Sequence, residues 1–317
     1  MAMTKRKLGN SSIEVRPLMF GGNVLGWTVD QAAAFKILDA FAEAGFDFID
    51  TADIYSTWVP GHTGGESESI LGNWFKQRGN RAKVVLATKV GLDMGLGKKG
   101  LSRKYILQAA EDSLRRLQTD YIDLYQSHTD DLETPFEETL GAYATLIEQG
   151  KVRVIGASNY KADRLEAALE VSRKNGLPAY QSLQPLYNLA ERAGYEEALE
   201  GVCLKHGLGV IPYYSLASGF LSGKYRSAAD VEGRPRGGGL KKYFDERGLR
   251  ILKALDQVAR ETGSTPASVA IAWLMARPGI TAPIASATSV DQLRELTKGT
   301  ELKLHPSAIE ELNRASS

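Results

Sequence analysis

The sequence is poor in cysteine and histidine and nearly free of net charge. Cys203 is the single cysteine among 317 residues, so no intrachain disulfide can form, and a reducing compartment is expected. The histidines are His62, His128, His206 and His305, without an HxH pair, which argues against an imidazole-based metal centre. A formal net charge of +1 supplies no long-range field to recruit nucleic acid or an anionic membrane surface. No apolar run approaches the roughly 18 residues of a membrane span. The start, MAMTKRKLGNSSIEV, lacks the apolar core of a signal peptide. With 43% hydrophobic and 24% charged residues, the composition is neither disordered nor collagen-like. A soluble, cytoplasmic protein is expected, holding no metal and acting on a small molecule, as a monomer or a homo-oligomer.

What is present is a steady alternation of short apolar strands and amphipathic helices. VDQAAAFKILDAFAEAG spaces Phe35, Leu38 and Phe41 helically and stops at Gly45, a good residue just past a helix end. Ser102 is placed to cap RKYILQAAEDSLRRLQ, and Thr134-Pro135 opens another helix with proline in its first turn. Strands are read at MFGG (19–22), FDFID (46–50), KVVLATK (83–89), YIDLYQ (121–126), KVRVIGAS (151–158), AYQSLQ (179–184), LGVIPYYS (208–215) and TAPIAS (281–286). Eight strands, most followed by a helix, predict a (β/α)8 TIM barrel forming a single domain over residues 1–317. The Gly/Arg-rich stretch 222–246 after strand seven is too long for an ordinary connection and reads as a lid or clamp.

In such a barrel the chemistry sits where strands end. Those positions carry Asp50 and Tyr55, Lys89, His128, Ser158 and Asn159, Gln184, and Tyr214 with Ser215. A carboxylate metal cage leaves Lys89 without a purpose. A Schiff-base lysine fits a strand end but leaves Tyr55, His128 and an acid unexplained. Tyr, Lys, Asp and His together form a proton device. A phenol titrates near 10, and a nearby ammonium lowers that value and sharpens it as an acid towards a carbonyl oxygen. Asp50 keeps the lysine charged, and a neutral histidine orients the carbonyl. Of the other acids in DFIDTADIY, Asp47 and Asp53 are read as surface or supporting residues, and Arg115-Arg116 as a solvated face.

The stretch GFDFIDTADIY (45–55), with Lys89, His128, GASNY and PIASAT, resembles the aldo-keto reductase superfamily over essentially the whole chain. The segments QPLYNLAER and SGFLSGKY are closest to the branch with bacterial reductases and potassium-channel β subunits. The resemblance implies a catalytic tetrad of Asp50, Tyr55, Lys89 and His128, and extended NADP(H), with NAD(H) as the alternative. It implies that Ser158, Asn159 and Gln184 hold the carboxamide while Tyr214 stacks on the nicotinamide. Ser215, Leu216, Gly219, Leu221 and Lys224 would wrap the pyrophosphate, and Gly22 and Asn23 join the cofactor set with Asp50. Many members grip the 2′-phosphate with Lys and Arg after the last strand; here Ser286 and Gln292 stand there, Glu295 faces the adenine, and Leu296 replaces the usual Asn. Lys224 and Arg236 of the long loop are the substitutes. Trp27 and Trp58, in rim loops, are assigned to the substrate wall, with plain packing equally open. A GxGxxG match at Gly95–Gly100 starts too far from its strand to be a dinucleotide fingerprint. The implied activity is interconversion of an aldehyde or ketone and its alcohol, Tyr55 handling the proton; the alternative is a cofactor-binding regulatory subunit with little turnover.

Overall fold

The computed structural model describes residues 4–95, 97–234 and 237–317. Eight parallel strands form one curled sheet: β1 (Met19–Gly21), β2 (Phe48–Asp50), β3 (Val85–Val90), β4 (Ile122–Ser127), β5 (Val152–Ser158), β6 (Ser182–Gln184), β7 (Gly209–Val210) and β8 (Ile284–Ala285). Neighbours run in chain order from β1 to β7, and β8 pairs back onto β1 with Ile284 opposite Met19. The ring closes between β7 and the chain entering β8. Val210 bridges Ile280, Thr281 N–H donates to Val210 O at 2.8 Å, and Ile284 N–H to Pro212 O at 2.9 Å. This is the expected (β/α)8 barrel. β7 stops earlier than LGVIPYYS suggests, because Pro212 has no N–H for a ladder; pairing resumes at Leu186 and Tyr213.

Helices form where the periodicity placed them. In α3 (Arg103–Leu117), Ile106, Ala109, Ala110, Leu114 and Leu117 make the buried stripe, and Ser102 accepts from Tyr105 N–H as predicted. Helix α1 (Gln31–Glu43) ends at Gly45, whose φ of +86° is the left-handed turn expected there. Pro135 lies one place outside its helix, which starts at Phe136. Among the described residues, no helix is long and apolar enough to cross a membrane.

A hairpin that the strand pattern did not reveal, Arg6–Lys7 paired with Glu14–Val15, closes the barrel floor. Its Leu8, Ile13 and Val15 pack on Met19, Phe48, Ala87, Leu124, Ile211, Ala282 and Ile284 in one apolar cluster. Side chains alternate along a strand, so the residue two places on from each of these points into the barrel one layer higher. From Phe48, Ala87 and Leu124 that step reaches Asp50, Lys89 and Gln126, and Gln184 and Ser158 close their own strands. An apolar plug thus carries a polar layer on top of it. Two glycines let β1 into this layer: a Cβ on Gly21 would meet Ser286 Oγ at 2.6 Å, and one on Gly22 would meet Asp50 O at 2.6 Å.

Candidate active site

Asp50 and Lys89 are the centre of the polar layer. Lys89 is fully buried, and its ammonium spends its protons on Asp50 Oδ2 at 2.7 Å, Thr51 O at 2.8 Å and the Tyr55 hydroxyl at 2.7 Å. Tyr55 donates in turn to Asp50 Oδ2 at 2.9 Å. The other oxygen, Asp50 Oδ1, accepts from Gln184 at 3.0 Å and from Gln126 at 3.5 Å. The loop after β2 brings Tyr55 over the layer through a short turn in which Tyr55 N–H donates to Ala52 O, followed by Ser56 at a φ of +77°. His128 enters from the end of β4, held by its N–H on Val90 O at 2.8 Å, with its ring edge-on to Tyr55 at 6.1 Å.

The environment sets distinct protonation states. Burial pushes the Tyr55 phenol well above its ordinary value of 10, and Asp50 adds to this by charge and hydrogen bond. From the sequence, Lys89 is expected to make the phenol more acidic. In the folded site, enclosure and the Asp50 acceptor prevail, and Tyr55 holds its proton tightly. Burial lowers the Lys89 ammonium, while Asp50, Asp53 and Glu68 work against that. His128 is pushed well below 6.5 by burial and then by Lys89, so it is neutral at pH 7. Its Nδ1 has no hydrogen-bond partner. With Nε2 carrying the proton, that bare Nδ1 leaves no donor stranded.

Above the layer lies a cavity of about 740 Å³. Of the residues singled out from the sequence, Asn23, Asp50, Tyr55, Trp58, His128, Ser158, Asn159, Gln184, Tyr214, Ser215, Leu216, Gly219, Lys224, Ser286, Gln292 and Glu295 line it. One bent segment supplies much of its wall: Tyr214, Ala217, Ser218 and Gly219 all have positive φ, 54°, 46°, 57° and 103°. Three of these are not glycine, a local strain of the kind that clusters at ligand sites. Asn188 secures the bend by donating to Tyr214 O at 2.9 Å.

The profile of the aldo/keto reductase family matches residues 17–317. This chain belongs to that family. It is 38% identical over 314 residues to "Uncharacterized oxidoreductase YrpG" of Bacillus subtilis (strain 168), covering 96% of this chain and 94% of the relative. A "Probable voltage-gated potassium channel subunit beta" of Arabidopsis thaliana is 32% identical over 308 residues, covering 95% and 92%. "Aryl-alcohol dehydrogenase [NADP(+)]" of Phanerodontia chrysosporium is 31% identical over 329 residues, covering 95% and 82%.

Some assignments move in this aldo/keto reductase. Gly22 packs against the Asp50 backbone, and its neighbour Gly21 is the one that reaches the cavity. Leu221 is fully buried in the core rather than on the wall, because the bend turns it inward. Trp27 stands behind Trp58, edge-on at 5.5 Å, and only Trp58 reaches the cavity. Arg236 lies outside the described residues, whereas Arg234 lines the cavity beside Lys224. Neither Lys224 nor Arg234 has an acid at ion-pair distance among the described residues; Lys224 rests on the Tyr225 ring. Leu92, Tyr213 and Thr288 are further wall residues that strand-end reading passed over, since they sit one or more residues into loops. Gln126 was legible, being two residues before His128 on the same strand.

Two residues taken as background are neither exposed nor idle. Arg116 leaves the solvated face to bind Glu68 Oε2 at 2.6 Å, and Asp53 is 1% exposed. Asp47, read as a surface or supporting residue, is part-buried and paired with Lys5 at 2.7 Å.

Proposed function

We propose that this chain is an NADP(H)-dependent oxidoreductase that interconverts an aldehyde or ketone with its alcohol. The observation that carries the reading is the Tyr55 hydroxyl, set between Lys89 Nζ and Asp50 Oδ2 on the floor of the cavity, beside a neutral His128. A bound nicotinamide cofactor supplies the hydride for such a reaction. This chain's residues handle the oxygen. Tyr55 and the His128 N–H offer it two donors, and neither carries charge that would have to be removed first. As negative charge develops on the substrate oxygen, the phenol proton turns from Asp50 to that oxygen and crosses. Lys89, 2.7 Å from the phenolic oxygen, steadies the phenolate left behind.

The residues present fit a dinucleotide. Ser158, Asn159 and Gln184 group amide and hydroxyl functions at one end of the cavity, with the half-exposed Tyr214 ring alongside. The left-handed bend at 214–219 turns backbone into the cavity, and Lys224 and Arg234, without an ion-pair partner among the described residues, provide positive charge for phosphate. Ser286, Gln292 and Glu295, also on the cavity wall, supply no cation, so Lys224 and Arg234 carry the choice of NADP over NAD. NADPH oxidation followed with a panel of aldehydes and ketones is the direct test, and absence of turnover with every carbonyl sinks the reading. Replacing Lys224 and Arg234 together by alanine is expected to raise the Kd of NADPH by about 10- to 100-fold, the scale of one or two charge-assisted bonds. NADH affinity should change far less. Equal weakening of both would show that these cations do not read the 2′-phosphate.

The potassium-channel β relative favours a second reading, a cofactor-binding regulatory subunit. Tight cofactor retention with negligible turnover, and a stable partner protein, would support it. The open cavity over Tyr55 favours turnover.

A further inference from the structure

Behind the active site its Asp50–Lys89 pair continues into a buried charge cluster whose other members the proposed reaction does not use. Asp50 is paired with Lys89 at 2.7 Å and Glu68 with Arg116 at 2.6 Å. Glu68 also accepts from Thr88 Oγ1 at 2.6 Å, and its side chain is fully buried. Asp53 is the third acid of the group; Arg116 and Lys89 act on it from a distance, and among the described residues no cation pairs with it. Its carboxyl is 1% exposed, neither oxygen has a hydrogen-bond partner, and its backbone N–H reaches Lys89 O at 3.4 Å. The groups that face it are Glu68 from α2 (Glu66–Arg78), Arg116 and Tyr105 from α3, Lys89 from β3, Tyr125 from β4 and Tyr143 from α4 (Phe136–Glu148). The Ile54 backbone N–H gives some support to the charged form. Tyr125 hydroxyl, also buried, has no partner either. An ionised carboxylate without a partner in such a place is costly, and taking up a proton is its usual escape.

We propose that Asp53 holds a proton in the working enzyme and is a positioning residue for Tyr55, acting through Lys89. With Asp53 neutral, the Lys89 charge faces Asp50 and acts fully on the phenol. When Asp53 loses its proton, a second negative charge stands behind Lys89 and offsets it. Tyr55 then becomes a weaker acid, and carbonyl reduction slows. Burial, then the like charge of Glu68, puts the Asp53 carboxyl up to about 8, so the step falls within reach of ordinary assays. The inference about rate rests on the carbonyl-reductase reading; the protonation of Asp53 and its coupling to Lys89 do not.

The same shift makes a statement about stability. The folded protein binds the Asp53 proton more tightly than the unfolded chain does, so stability is full below pH 4 for this group. It is lost as pH rises from there through about 8.

Asp53→Asn keeps the shape and removes the titration. In wild type, kcat for aldehyde reduction at saturating NADPH is expected to fall by about tenfold from pH 6.5 to pH 9, one pKa unit on the Tyr55 proton. In Asp53→Asn that step should disappear, a change that a packing role would not produce. The midpoint of thermal unfolding should decline with pH in wild type and much less in the variant. Asp53→Ser serves if the asparagine variant does not fold. Carbon NMR of the labelled carboxyl follows the titration in wild type, and the nitrogen resonance of Lys89 should move with it and stay still in Asp53→Asn. A carboxyl already charged at pH 6 overturns the proposal, as does a Lys89 resonance indifferent to Asp53. An identical pH profile in wild type and variant also overturns it. If no carbonyl is reduced at all, the reductase reading has failed, and the two NMR titrations still decide whether Asp53 couples to Lys89.

Discussion

Tyr55→Phe is expected to lose about a hundredfold to ten-thousandfold in turnover of carbonyl reduction, the usual share of a positioned general acid. The substitution removes one oxygen and little else. Lys89 keeps Asp50 at 2.7 Å and Thr51 O at 2.8 Å, and Asp50 keeps the Gln184 amide at 3.0 Å. The polar layer therefore survives, and cofactor affinity and unfolding midpoint should remain near wild type. Steady-state kcat at saturating cofactor, read beside the Kd of NADPH from fluorescence quenching, separates the two effects. Wild-type turnover in the phenylalanine variant would refute the role assigned to Tyr55. The phenol's grip on its proton adds a direction to this result. A phenol held well above 10 gives up its proton reluctantly, and its phenolate would take one from an alcohol readily.

The second large effect is on the fold itself. Lys89→Met leaves Asp50 buried beside apolar and amide neighbours with no cation, and strands the Thr51 carbonyl. Removing one partner of a buried pair costs about 3–5 kcal/mol. An unfolding free energy from urea titration lowered by that amount, with the midpoint displaced accordingly, is the expected measurement, together with loss of turnover. Adding Asp50→Asn removes the lone charge and should recover much of the midpoint. It should not recover turnover, because the phenol still lacks its ammonium. A single Lys89→Met variant as stable as wild type would mean that Asp50 carries no charge in the fold.

The alternation of apolar strands and amphipathic helices made the barrel legible, since period-2 and period-3.6 patterns record which face meets the core. The floor hairpin escaped because each of its strands is two residues long, too short to show a period. Strand ends pointed to Asp50, Lys89, His128, Ser158 and Gln184, because residues there have one direction open to them. Loop residues were read less well. Arg234 lines the cavity without having been singled out, because no local pattern encodes the path of a long loop. From DFIDTADIY alone, Asp53 reads as a surface or supporting residue. Its burial depends on α2 and α3 closing over the turn, which only tertiary packing decides.

The proton-handling side chains, Asp50 to His128, come from the first half of the barrel, whereas the strained bend, Lys224, Arg234 and the Ser286–Glu295 wall come from the second. The ring joins these halves through backbone pairing and through side chains that cross from one to the other, Gln184 to Asp50 at 3.0 Å and Ser286 to Asn23 at 2.6 Å among them. In heredity, this arrangement separates two traits. Recombination between relatives at the loop joining α5 (Ala162–Asn175) to β6 would exchange the bend, Lys224, Arg234 and the Ser286–Glu295 wall as a block, while Ser158 and Asn159 stay with the proton-handling side chains. A lineage can thus change which coenzyme pool it draws on without reinventing how it moves a proton.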